Sequence, residues 1–381
     1  MGIISLSRTT QNHTRKERDS NLELLRIIAM LLVLMVHADF KALDTPTVGE
    51  IINNPESSFL RFLCESISII CVNVFIFITG WFGIRPKVSR FCGLLFQVMF
   101  FGVFIYLSLI LLGKIEKCEL ADWIRLVITR RQLWFVGAYM VLYIISPILN
   151  AFVSTANKET FKNVLIAFFI AQTFYGVHSK WNFFCSGYTP LSFVVLYLLA
   201  RYMKLYPSKF CTFKKRYDVA IYSCTVLFTT LLAMIFGKAG HDTKVFYEYL
   251  SPLVIVSSLY FFLFFTKISF RSNVVNQIAT SAFAVYLFHC DPLFFNQYYL
   301  LPIRNLYFND SVLLFVFHTT IIIMSVFLVS IMVDKIRVFL WNWIMFIYNH
   351  HTSILSGRVC FYFKISCSSI RQFSSIPTLK P

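Results

Sequence analysis

Arg26 and His37 are the first residues whose types and spacing could do chemistry. They stand eleven residues apart in an otherwise apolar stretch, 21–40, reading NLELLRIIAMLLVLMVHADF. In a helix at about 100° per residue, eleven positions make three turns plus roughly 20°, so both side chains project from one face. At 1.5 Å per residue they lie ~16 Å apart along the axis. Glu23, Met30 and Val33 fall near the same face. A guanidinium offers a planar fork that suits phosphate. An imidazole exchanges protons near neutral pH and suits activation of a hydroxyl. Glu23, one turn from Arg26, is placed to orient it. The competing reading is that Arg26 snorkels to lipid headgroups and that His37 is an interfacial residue.

The element that must hold this stripe is a membrane helix, because about 20 apolar residues span the hydrocarbon core. Ionisable groups there face a bundle interior or a wet cavity. The whole chain supports a membrane setting. Of its 381 residues, 57% are hydrophobic and only 14% charged, and mean hydropathy is +0.68. Soluble domains carry about 25% charged residues, so a globular enzyme with a tail is excluded. The net charge of +17 brings no nucleic-acid motif with it and is explained by Lys and Arg at helix ends. The ten cysteines form no CxxC pair or metal-like spacing. They read as small buried hydrophobes, and no metal is expected. Residues 1–20 are polar, with no signal-peptide pattern.

The fold class expected is all-α: a polytopic integral membrane bundle of about ten transmembrane helices. Apolar runs place them at about 22–40, 58–84, 91–113, 133–153, 163–177, 188–206, 217–236, 249–266, 276–296 and 312–333 or longer. With the N-terminus in the cytoplasm, the inner segments hold 23 Lys and Arg residues and the outer loops 10, so both ends are expected inside. Residues 1–20 read as a basic cytoplasmic arm and 21–344 as the membrane domain. Residues 345–381 form a tail, either an amphipathic surface segment or a disordered one.

The remaining polar candidates each carry two readings. Asn73 sits mid-helix, where polar residues bond across helices or serve a site. Arg61 and Glu65 are four apart and are expected to satisfy each other's charge. His289 precedes Cys290-Asp291-Pro292 and either shapes a cavity or pairs with Asp291 at the interface. Residues 121–131 read as an amphipathic interfacial helix. Its Arg125, Arg130 and Arg131, placed outside against the charge rule, either hold an anionic acceptor or anchor to headgroups. Trp134 and Tyr143 read as belt or packing residues.

Several stretches carry a resemblance. Glu23-x-x-Arg26, then ten intervening residues and His37, is one. Val72–Phe82, with Thr79-Gly80-Trp81-Phe82 at its end, is a second. Leu133-Trp134-Phe135 with Leu142-Tyr143 and Pro147-x-Leu149-Asn150 is a third, and Tyr286-Leu287-Phe288-His289 with Pro292 a fourth. In this order, over roughly 21–337, the chain resembles the acyltransferase-3 family of integral-membrane O-acyltransferases. Leu250 departs from the family's habit of Asn between Tyr249 and Ser251.

The resemblance implies an acyl-CoA co-substrate, acetyl-CoA first. It implies a hydroxyl acceptor on a cell-envelope or exported glycan, free or lipid-linked, and a setting in the bacterial cytoplasmic membrane. In that light His37 is the expected general base, with a transient acyl-histidine as the alternative. Arg26, with Glu23, is the expected contact for CoA phosphates. Asn73 is a candidate oxyanion donor, and His289, Arg125, Arg130 and Arg131 are candidate substrate contacts. The rival function is a carrier or flippase for a polar lipid or glycan.

Overall fold

The computed structural model describes residues 20–115, 133–178 and 185–372, with side chains described for 20–115, 133–172 and 186–348. Among the described residues it is 83% helical with no strands, so the all-α membrane bundle stands. Among the described residues, seven helical runs are long and apolar enough to cross a bilayer: Asn21–Lys41, Pro55–Phe82, Val88–Leu111, Trp134–Thr155, Lys215–Lys238, Lys244–Thr266 and Val312–Tyr348. The other three expected spans also fold as helices: the one expected at 163–177 extends over Lys158–His178, the one at 188–206 covers only Pro190–Leu205, and the one at 276–296 is broken.

Helix α1, Asn21–Val36, runs into a π turn at His37–Lys41. The expected loop after it contains a short helix, α2 (Val48–Asn53), held by a capping box between Thr47 and Glu50. The single helix expected at 58–84 is two, α3 (Pro55–Ser68) and α4 (Cys71–Phe82), meeting at Ile69-Ile70. Ser66 and Ser68 explain the break. Their hydroxyls donate back to the Phe62 and Cys64 carbonyls, each at 2.7 Å, and such bonds compete with the helix ladder.

Next come α5 (Val88–Leu111), α6 (Trp134–Thr155) and α7 (Lys158–His178). Then α8 (Pro190–Leu205) starts with Thr189 as its cap and Pro190 in its first turn. After α9 (Lys215–Lys238), α10 (Pro252–Thr266) opens on Ser251-Pro252. The span expected at 276–296 breaks into α11 (Asn273–Ala279), α12 (Ala282–His289) and a second π turn at Phe295–Leu300. Pro292 has no N–H to continue α12, and Leu293 N donates instead to Asp291 Oδ1 at 3.0 Å. Helix α13 (Leu301–Asn309) leads into α14, Val312–Gln372. That helix passes 345, where a separate tail was expected.

The core forms where α4 packs on α1, α8 and α10, while α12 sits among α1, α5 and α14. Gly80 makes the α4–α8 contact possible: a Cβ there would lie 2.6 Å from the Tyr197 carbonyl and 2.7 Å from Ala200 Cβ. Large apolar side chains on the rim, such as Leu111, Leu313 and Phe339, stay exposed. In a bilayer they meet lipid tails, while backbone polar groups are satisfied inside the helices.

Candidate active site

His37 is the first residue of the π turn that ends α1. The facing π turn, Phe295–Leu300, begins with Phe295, whose ring lies 5.1 Å from that of His37. Tyr299 on the same turn donates its hydroxyl to the Leu34 carbonyl at 2.7 Å, tying that turn to the last turn of α1. Such π turns cluster at functional sites because they re-aim side chains that a regular ladder would misplace.

His37 Nδ1 lies 2.9 Å from His289 Nε2. His289 is fully buried, and its Nδ1 lies 2.6 Å from the Val285 carbonyl one turn back on α12. A carbonyl only accepts, so His289 Nδ1 carries the proton. In the neutral ring Nε2 is then an acceptor, and His37 Nδ1–H donates to it. The remaining nitrogen of His37, Nε2, is left with its lone pair. The chain therefore fixes His37 in the tautomer a general base needs, by the same logic as the carboxylate behind a catalytic histidine. Cys290 adds a thiol 3.3 Å from His289 Nε2 and 3.8 Å from His37 Nδ1.

These groups open onto a cavity of about 770 Å³. His37, Cys290, Tyr286 and Glu65 line it, with the rings of Trp134, Tyr188 and Tyr249. The three rings pack on one another at 4.5 to 5.8 Å between centroids. Glu65 is buried with Oε2 unpartnered. The Arg61–Glu65 pairing expected from spacing does not form. Arg61 turns instead to Asp39 on the π turn, Nε to Oδ1 at 3.1 Å, and to Glu50 at 3.7 Å. The π turn carries Asp39 into reach, which a four-residue rule cannot foresee.

His37, His289 and Cys290 are also a group whose donor atoms, all within 4.8 Å of one another, could hold a metal ion. The direct hydrogen bond between the imidazoles argues for a proton there. A shared metal would take both lone pairs and remove that proton.

At the other end of the stripe, Arg26 Nη1 pairs with Glu23 Oε2 at 2.6 Å, so Glu23 does orient the guanidinium. Arg26 lines a second cavity of about 310 Å³ with Arg85, Arg90 and Tyr143. A third, of about 520 Å³, shares Phe82 to Arg85 with it and adds Arg201 and Lys204. The strap between α4 and α5 that carries Arg85 is held firmly. Ile84 N donates to Tyr197 Oη at 3.1 Å, and Asn150 Nδ2 donates to the Ile84 carbonyl at 2.8 Å. Tyr143 Oη accepts from Lys87 N at 2.8 Å. Gly83 turns the chain at φ +75°, with Arg201 Nη1 3.3 Å from where a Cβ would stand.

Sequence reasoning missed Arg85, Arg90, Arg201 and Lys204 as site residues. Their charge read only as topology, although Asn150 and Tyr143 were visible as parts of a motif. Asn73 is fully buried, and its Nδ2 donates to the Tyr249 carbonyl at 2.7 Å, joining α4 to the approach of α10. That is the cross-helix bond, made to a residue of the cavity wall that Asn73 itself does not line. Asp291 caps the turn after α12 and is buried rather than interfacial. Arg125, Arg130 and Arg131 lie outside the described residues.

Fold and site together define a membrane-embedded protein with a polarised histidine pair at one cavity and an arginine-rich basin at another. A family model described as an acyltransferase domain matches residues 19–335. The chain belongs to that acyltransferase-3 family and is a multi-pass membrane acyltransferase. No curated protein and no solved structure is matched.

Proposed function

We propose that the chain is an O-acyltransferase that takes an acyl group, acetyl first, from cytoplasmic acyl-CoA. It passes the group to a hydroxyl of a cell-envelope or exported glycan. The observation that carries this is the hydrogen-bond line Val285–His289–His37, which leaves His37 Nε2 as a base in a cavity wide enough for a sugar. The aromatic wall of Trp134, Tyr188 and Tyr249 offers flat faces of the kind sugar rings stack on.

The donor lies along α1. Its phosphates meet Arg26, Arg85 and Arg201 in the basic basin, where guanidinium forks match phosphate geometry. Its acyl arm runs ~16 Å along the helix to His37. Met30 and Val33 lie between the two ends on the same face, buried in the core, and an unbranched Met side chain adapts to an arriving arm. His37 Nε2 removes the acceptor's proton as the oxygen attacks the thioester carbonyl. The imidazolium that forms is stabilised through His289, and its proton then leaves with the CoA thiolate. The positive-inside charge bias favours the Arg26 end on the cytoplasmic side and the His37 end on the outer side; the family resemblance makes that membrane the bacterial inner one.

The test uses membranes carrying the full chain and acetyl-CoA labelled in its acetyl group. Wild-type membranes move label into alkali-labile products, and His37→Gln membranes with equal protein do not. Products that keep their mass while crossing the membrane, with acetyl-CoA untouched, would make the chain a carrier.

A further inference from the structure

Acyl transfer to an oxygen passes through a tetrahedral oxyanion, and His37 with His289 accounts only for the proton. Asn73, the donor expected from sequence, gives one amide hydrogen to the Tyr249 carbonyl and does not itself line the cavity. The oxyanion donor has to be sought on the wall of the His37 cavity.

Tyr286 meets the requirement. It stands three residues before His289 and four before Cys290 on α12, so the three side chains share one helix face. Its ring lies 6.2 Å from that of His289 and lines the same cavity as His37. The residue is 6% exposed, yet among the described residues its hydroxyl proton has no acceptor. The backbone amide of Phe135 approaches the oxygen as a donor, which leaves the hydroxyl proton unused. A buried, unspent O–H carries a desolvation cost of about 1–3 kcal/mol. Such orphans in native structures mark functional sites or an absent ligand. The ring is held rigidly, 5.6 Å from Phe135 and 6.0 Å from Phe283, so the hydroxyl is set in place before the substrate arrives.

We propose that the Tyr286 hydroxyl is the oxyanion donor of the transfer reaction, a catalytic residue; this rests on the acyl-transfer reading above. As His37 Nε2 takes the acceptor's proton, the alkoxide oxygen forms a bond to the thioester carbon, and the carbonyl π pair moves onto oxygen. Tyr286 O–H donates to that oxygen. The C=O bond then re-forms, the C–S bond breaks, and the CoA thiolate leaves with the proton held by His37. No oxidant, reductant or metal enters the balance. The hydroxyl interacts more strongly with the charged oxygen than with the ground-state carbonyl, and that difference lowers the barrier.

The experiment compares wild-type and Tyr286→Phe chains, full length in membranes, with labelled acetyl-CoA as donor and the acceptors native to those membranes. The expected result is a fall of about 10²–10³-fold in the maximal rate. The concentration of acetyl-CoA for half-maximal rate stays as in wild type. The detergent-extracted variant stays close to the wild-type melting temperature, because the hydroxyl's proton has no acceptor among the described residues. Wild-type transfer with a near-normal maximal rate in Tyr286→Phe overturns the assignment alone. So does a loss that tracks a lowered melting temperature, which would make Tyr286 a packing residue. A wild-type chain that leaves acetyl-CoA intact overturns the acyl-transfer reading and this one with it.

Discussion

If His289 works only through His37, removing either should cost different amounts, and removing both should cost no more than removing His37. His289 Nε2 accepts from His37 Nδ1 at 2.9 Å, and the Val285 carbonyl holds the far proton at 2.6 Å. When His37 takes a proton from the acceptor, that bond becomes one from a charged donor. Bonds to charged groups contribute about 1.5–3 kcal/mol, which is about 10–150-fold in rate. His289→Gln keeps an acceptor at roughly the same reach but relaxes the tautomer, so its loss should lie within that window. His37→Gln removes the base, worth about 10²–10⁴-fold. The double variant should then equal His37→Gln, because His289 has nothing left to polarise. Independent groups would instead multiply their losses. The assay is initial transfer of labelled acetyl from acetyl-CoA into membrane glycans, normalised to folded protein. A double variant slower than His37→Gln by the full His289→Gln factor would refute the relay. So would a His289→Gln variant at the wild-type rate.

Other outcomes follow from the same geometry. Arg26→Lys keeps charge but loses the fork, so the acetyl-CoA requirement should rise while the maximal rate changes little; equal donor affinity in a folded Arg26→Ala chain would remove Arg26 from the donor site. Arg85→Gln and Arg201→Gln should each weaken CoA binding, with the loss shrinking as salt rises, and binding by isothermal titration in detergent reads this directly. Arg61→Met strands the buried Asp39 carboxylate and should destabilise by about 3–5 kcal/mol, with Asp39→Asn added to it recovering part; unchanged melting in the single variant would contradict the buried pair. Dialysis against a strong chelator should leave transfer intact, since the histidines share a proton; loss restored by zinc would put a metal between them.

Much of the fold was legible because membrane helices announce themselves by length and apolarity, and Arg26 and His37 stood out as exceptions within one. Their shared face needed only helical periodicity. Glu23 beside Arg26 was readable for the same reason, being one turn away. What the sequence hid were the departures from regular helix. Nothing in His37-Ala38-Asp39-Phe40-Lys41 marks a π turn, so the Asp39–Arg61 pair was out of reach and Arg61 was assigned to Glu65 by spacing. The break of α3 from α4 lay in two serine hydroxyls turning back on their own helix. The His37–His289 contact joins positions 252 apart, and no local pattern encodes that. Arg85 and Arg201 were hidden differently: a cation at a helix end serves topology in every membrane protein, so its type alone cannot mark a basin.

Between its two functional ends α1 carries no polar side chain, from Ile27 to Val36. Ala29, Met30, Val33 and Leu34 along it are buried. Moving one charge across a membrane potential is worth about 2.3 kcal/mol per 100 mV, and a water thread past His37 and His289 would let protons spend that gradient. The apolar stretch makes the resting protein an electrical insulator. A cell can then keep many copies in an energised membrane without a leak. Any opening for the acyl arm must be filled by that arm itself, so that the seal and the reaction path are the same few side chains.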